Sequence, residues 1–459
     1  MLISSYMAID FNPDAARRFD ELALELLTDL RPQPSAETAQ TTFRPDVYPV
    51  AQISEQEVIG EIRQIQSVVD GTQEEVGRFF KHGQSSVALV GPGFKKLAEL
   101  AMRIQNTEGL TGTTSIDFVR NAIFEWIEQR YKNAITDSCM QYVVKRAEEA
   151  VKDHEIWIPL HQTYLESPFS IGPVAFRTIT ASMLAKSFAR FEEQIPKESE
   201  ETNVQVRLAL ARERSKLQSC AAAVVKICAE ENKAVAVARE QSERAVALLR
   251  FFSPSNWTPK LRSFCTLLGS ENIRQSAELF VDGESILLSR RGVLDRGQAA
   301  WVLSREFMAQ FPGLLQGLSS LAAGSARTRF RQSVYDALLM YSRNSVASDP
   351  ADKLVYILVA VESLLLRNEN EPIGKNIGER MAFLIGDTLE TRKGVLANAT
   401  EAYRLRSSFI HHGNTIQDLE TLSTFMLNAW TCFYNLIMGI DRYQTKDDLI
   451  RALEDRKMS

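Results

Sequence analysis

Near its C-terminus the chain reads Glu401-Ala402-Tyr403-Arg404-Leu405-Arg406-Ser407-Ser408-Phe409-Ile410-His411-His412-Gly413-Asn414. Two of its five histidines stand side by side here, shortly after an arginine. A neutral imidazole, with an ordinary pKa of about 6.5, takes or gives a proton near neutral pH. A guanidinium stays charged and holds a phosphate in a two-pronged grip. Together they suit metal-free cleavage of RNA. One histidine would help the ribose 2′-OH attack the adjacent phosphorus, or would protonate the leaving 5′-oxygen. Arg406 would stabilise the charge that builds on the phosphate oxygens. A structural alternative stands beside this: histidines in a last helical turn complement the helix dipole and its free carbonyls.

The elements that must position these groups can be read from the same stretch. Tyr403, Leu405, Phe409 and Ile410 form an apolar stripe that predicts a helix ending at the histidines. Gly413 or Asn414 then takes the left-handed cap. At about 3.6 residues per turn, Arg406 lies about 140° from His411 and about 120° from His412 on the other side. Unwinding of the last turn would let either ring swing towards the arginine.

These surroundings resemble the HEPN superfamily, and within it the ApeA-like HEPN group. The resemblance rests on Tyr403-Arg404-Leu405-Arg406-Ser407 and His411-His412-Gly413, which match the group's arginine–histidine motif at the end of a third bundle helix. It extends to Leu354–Leu365, similar to the first core helix, and to Ile377–Gly386, similar to the second. It covers roughly the last quarter to third of the chain. The resemblance implies a metal-independent endoribonuclease whose catalytic pair falls on Arg406 and His411. His412 is also within the motif's range. Ser407, Glu362 and Asn414 are supporting candidates. It further implies a homodimer through the bundle, RNA as substrate, and a place in anti-phage defence or growth arrest. A phage or host trigger, or a regulatory protein, would act on the remainder. A non-catalytic relative that binds RNA, a nucleotide or a protein is the alternative. Neither reading calls for a metal or cofactor.

The 459 residues are enough for two or three domains, each with its own core. The net charge of −5 argues against a general nucleic-acid coat, so RNA would need a local basic groove. Arg327-Thr328-Arg329-Phe330-Arg331, with Arg343, is a candidate for one; a solvated helix start is the alternative. No apolar run is long enough to span a bilayer, and the N-terminus lacks the features of a signal peptide, so cytoplasmic residence is expected. Cys139, Cys220, Cys228, Cys265 and Cys432 form no Cys-x2-Cys pair and are expected as reduced, buried thiols.

The predicted architecture is mainly α with a small β-containing middle region, closed by a four- or five-helix bundle. Residues 1–150 are expected as a helical region, with helices over 14–31, 55–69, 74–81, 94–106 and 115–134. Ser86–Lys96 carries glycines and lysines but lacks the order of a phosphate loop, and Pro92 removes an amide that such a loop would use. A turn capping the helix from Phe94 explains its glycines. Residues 151–322 are expected as a mixed α and β region. Short strands follow Trp157, with a hairpin near Gly172-Pro173. A single long helix is predicted over 203–251 from its Ala-rich face. An antiparallel sheet is predicted over 261–288, pairing with the strands near Trp157. Trp301–Phe311 is predicted helical. His154 and His161 lack partners at metal-ligand spacing. Residues 323–459 are expected as the bundle, with Asp349 capping a helix that starts at Pro350. Its last apolar helix, within 415–439, has a stripe wide enough for the core and a dimer partner.

Overall fold

The computed structural model describes residues 12–33, 67–69, 75–83, 85–194, 200–268, 275–282, 285–292, 301–324, 328–368 and 370–458. The fold is mainly α with small, mostly antiparallel sheets. The chain divides into two units, each built from several segments. One holds Met1–Ile156, Phe188–Glu213 and Lys226–Ala238; the other holds Trp157–Ser187, Arg214–Val225 and Arg239–Ser459.

The first elements are α1 (Pro13–Thr28), β1 (Arg31–Gln33), β2 (Ser67–Val69), β3 (Glu75–His82), β4 (Ser85–Val90), α2 (Pro92–Gln105), α3 (Ile116–Tyr131) and α4 (Cys139–Ala150). The strands form a sheet of order β1-β4-β3-β2. Leu26, Phe80, Leu89, Leu97, Ile123, Trp126 and Val143 fill the core of this unit. The helix predicted over 74–81 is instead strand β3. Its Phe80 sits opposite Val87 of β4, and aromatic and β-branched residues across a pleat outweigh local helix preference. Of the helix predicted over 55–69, Ser67–Val69 is strand β2, paired with β3, and 55–66 lie outside the described residues. The Ser86–Lys96 stretch is β4, a turn at Gly91 with φ of 56°, and the start of α2. A left-handed turn at glycine before a proline-initiated helix accounts for its residues.

Next come β5 (Lys152–Pro159), β6 (Thr163–Leu165), β7 (Phe169–Ile171), β8 (Val174–Thr178), α5 (Ala181–Gln194), α6 (Glu200–Leu217), β9 (Ala221–Ala229) and α7 (Glu231–Leu249). They include a sheet of order β5-β9-β8-β7. The hairpin at Gly172 is present, with φ of 57°. A Cβ there would also stand 2.7 Å from Ala322. The long helix predicted over 203–251 is not formed. Ser219 turns the chain at φ of 67°, and Ala221–Val225 is a buried strand between α6 and α7. Alanine's helix propensity is worth only tenths of a kcal/mol per residue, about 0.5 in most comparisons, and strand pairing on β8 overrides it.

The hairpin of β10 (Gln275–Asp282) and β11 (Ser285–Gly292) forms with Asp282 opposite Ser285. Among the described residues it pairs only with itself, not with the strands near Trp157. Leu261–Leu268 is not a strand, and only Leu267 makes a bridge, to Leu160. Its backbone is engaged elsewhere: Ser263 N donates to Ser345 O at 2.6 Å, and Leu261 O accepts from Lys353 Nζ at 2.7 Å. The helix predicted over 301–311 is strand β12 (Trp301–Leu303), parallel to β6, then α8 (Arg305–Ala309). Ser304 caps α8 by accepting from Phe307 N at 3.0 Å, so the helix begins only after it.

The C-terminal elements are α9 (Leu314–Ala322), α10 (Arg329–Tyr341), α11 (Arg343–Val346), α12 (Pro350–Leu365), α13 (Ile373–Ile385), α14 (Leu389–His412), α15 (Leu419–Met438) and α16 (Lys446–Met458). Asp349 caps α12 as its sequence requires, accepting from Ala351 N at 2.8 Å. Leu354, Ile357 and Val361 of α12 and Ile377 and Met381 of α13 are buried, with Phe425, Met426 and Phe433 of α15 and Leu449 and Leu453 of α16. At Gly378 a Cβ would stand 2.8 Å from a Leu396 methyl, so a larger residue there would have to push that side chain aside. Cys139, Cys220, Cys265 and Cys432 are buried thiols, whereas Cys228 is exposed, against expectation, on the outward side of β9. Among the described residues no helix is long and apolar enough to cross a membrane.

Candidate functional site at the end of helix α14

Helix α14 is fixed at both ends by its own sequence. Thr388 and Thr391 form a reciprocal capping box at its start. At its end Gly413 takes φ of 64°, and its N–H donates to Phe409 O at 2.9 Å. Asn414 Nδ2 donates to Ser408 Oγ at 2.9 Å. The helix stays regular through His412, so the unwinding that would swing a ring towards Arg406 does not occur. The cap meets the terminal carbonyls and removes the reason to fray. Asn414 therefore acts in the cap.

The face of α14 changes character along its length. Val395, Ala399 and Ala402 are buried, Tyr403, Leu405, Arg406 and Phe409 are half-buried, and Ile410 is 51% exposed. The last turn thus projects beyond the bundle core. His411 and His412 are exposed upon it, and Ser407 is exposed one turn earlier.

Arg406 makes no hydrogen bond or ion pair with any described residue. Its neighbours in the bundle differ. Arg380 is gripped by Glu371 and Glu454, Arg367 by Glu454, Arg331 by Asp441, and Arg404 by Glu401. Tyr403, three residues before Arg406, donates its hydroxyl to Glu362 Oε1 of α12 at 2.9 Å. Burial raises the Tyr403 pKa first, the Glu362 charge and hydrogen bond raise it further, and the Arg406 charge opposes them. Tyr403 therefore stays a neutral phenol and a donor. The start of α13 lies against its ring, since a Cβ on Gly374 would stand 3.6 Å from it.

The charges of Glu362 and Arg406 thus both act on Tyr403, a residue that the sequence offered only as part of an apolar stripe and a motif. The signal was present: a tyrosine at i−3 from an arginine shares its helix face. The basic segment before α10 is less open than expected. Arg327 lies outside the described residues, Phe330 is buried, and Arg331 is held by Asp441 and Ser320. An ion-paired guanidinium is a poor phosphate ligand, whereas Arg329 and Arg343 are exposed as foreseen. His161 packs edge-on to Phe264, and His154 is half-buried. Among the described residues, no three His, Cys, Asp or Glu side chains gather as a metal set. Comparison with protein-family models, curated proteins and solved structures found no match.

Proposed function

We propose that this protein is a metal-independent endoribonuclease of HEPN type, acting at the end of α14. The observation that carries this reading is Arg406: a half-buried guanidinium with no internal counter-ion among the described residues, on the helix that ends in two exposed imidazoles. A guanidinium left without a carboxylate retains its full capacity for a phosphate. The motif resemblance of Tyr403–Gly413 supports the same reading.

In the proposed reaction Arg406 holds the scissile phosphate. His411 or His412 accepts the 2′-OH proton as that oxygen attacks phosphorus, and the P–O5′ bond breaks as the leaving oxygen gains a proton. The products carry 2′,3′-cyclic phosphate and 5′-hydroxyl ends. Ser407, exposed beside Arg406 in sequence, supplies a further hydroxyl at the phosphate. Two bundles paired in a homodimer would bring two such motifs to one groove, in a cytoplasmic defence or growth-arrest system whose remaining unit receives a trigger. Binding without cleavage is the alternative.

Labelled RNA incubated with the purified protein, with and without EDTA, tests the proposal. Cleavage that survives EDTA and leaves cyclic phosphate ends is expected. Arg406→Ala should lower the rate roughly 10²–10³-fold, as for loss of one group that stabilises a developing anion. The His411→Ala/His412→Ala double variant should lose roughly 10²–10⁴-fold, the usual contribution of a positioned acid or base. Full activity in both variants eliminates the site. RNA binding without cleavage favours the alternative.

A further inference from the structure

We propose that Tyr403 is a positioning residue that holds the Glu362 carboxylate away from Arg406, keeping the guanidinium available to an anionic ligand; this rests on the site reading above. Tyr403 and Arg406 lie one turn apart on the same face of α14. Glu362 reaches this face from α12, where its Oε1 accepts from the Tyr403 hydroxyl at 2.9 Å. Both the carboxylate and the guanidinium act electrostatically on that hydroxyl, so the three groups share one neighbourhood. Yet Glu362 and Arg406 form no ion pair.

That arrangement needs a reason. A half-buried carboxylate and a guanidinium acting on the same hydroxyl would ordinarily close into a charge-assisted pair. Here the phenol gives the carboxylate a donor that carries no charge. Gly374 lies beside the Tyr403 ring, where even a Cβ would touch it at 3.6 Å. Held this way, Glu362 is satisfied without neutralising Arg406. Removal of the hydroxyl leaves the carboxylate in need of a partner, and Arg406 is the cation near it. An internal counter-ion would then compete with RNA phosphate for the same guanidinium.

A 2′-O-methyl RNA oligonucleotide, which has no free 2′-OH to attack phosphorus, is the probe. Its affinity is measured for the wild-type protein, Tyr403→Phe, Glu362→Gln, the double variant and Arg406→Ala. Tyr403→Phe is expected to weaken binding roughly tenfold, a common size for coupling between neighbouring groups. Glu362→Gln should bind at least as tightly as wild type, and the double variant should return to wild-type affinity. A tyrosine needed only for packing would leave the double variant as weak as the single one, which overturns the proposal. Wild-type affinity in Tyr403→Phe, with a loss in Arg406→Ala, also overturns it but leaves the site standing. No change in Arg406→Ala overturns both. A crystal structure of Tyr403→Phe gives a readout independent of RNA: Glu362 is expected on Arg406, and a carboxylate that stays apart refutes the mechanism.

Discussion

Lys353 shows at the scale of one residue how this chain handles a charge without a counter-charge. It is buried, and its ammonium donates to the carbonyls of Ser255 at 3.2 Å and Leu261 at 2.7 Å. Loss of water lowers its pKa to about 8. The unfolded chain keeps the ordinary value of 10.5 and so holds more protons between these two pH values. Stability should therefore rise as pH increases from about 8 to about 10.5, by roughly 3 kcal/mol. Thermal melting across that range should show the rise in the wild-type protein and not in Lys353→Met. Arg406 contrasts with Lys353: it is only half-buried, remains in reach of water, and needs no carbonyl partner to stay charged. Its position on a helix face was legible from spacing. Its lack of a counter-ion was not, because which acids the fold brings to this helix, such as Glu362 of α12 on Tyr403, is set by a segment forty-four positions earlier (362 against 406).

At the scale of elements, α14 is defined by two local signals that the sequence carries openly, a threonine capping box and a glycine stop. Gly413 at φ of 64° is where a side chain is strained, and nothing lies within 4 Å of an added Cβ. Gly413→Ala should thus cost about 1 kcal/mol through the backbone alone. It should also loosen the turn that bears His411 and His412. Under the proposed function, RNA cleavage should fall more than thermal stability, as measured by melting and rate on one preparation. The strand β9 is the opposite case. Cys220-Ala221-Ala222-Ala223-Val224-Val225 reads as helix because alanine favours helix and no alternation marks a strand. A strand buried on both faces shows no such alternation, so only its pairing with β8 decides. β3 was missed for a related reason. Eight residues are too few for periodicity to separate helix from strand.

For the bundle as a whole, closure depends on a charge network as well as on apolar packing. Arg380 is bound by Glu371 through two hydrogen bonds, of 2.7 and 2.9 Å, and reaches Glu454 on α16. Lys457 pairs with Glu379, again joining α16 to α13. The Arg380 hydrogen bonds hold the Glu371 pKa down at about 2, against 4.5 in the unfolded chain. Stability from this pair is complete above about pH 4.5 and is lost as pH falls towards 2, by roughly 3 kcal/mol. Glu371→Gln should abolish that part of the acid sensitivity, read from urea midpoints between about pH 2 and 4.5, the window in which the two states differ in protonation. Sequence alone marks 367–372 as a charged loop. It does not say that this loop is tied to a helix beginning seventy-four residues later (446 against 372).

The sequence by itself determined the mainly helical character, the four apolar helices of the C-terminal bundle, the Asp349 cap of α12, the glycine stop of α14, and the arginine and histidines at its end. These follow from local rules: periodicity over one helix, a capping side chain within three residues, a glycine where the backbone turns left-handed. Tertiary structure alone decided that Ala221–Ala229 is a strand, that β10 and β11 pair only with each other among the described residues, and that the Tyr403 hydroxyl donates to Glu362 of α12. Those outcomes depend on which distant segment supplies the hydrogen-bond partner. No local pattern encodes that choice.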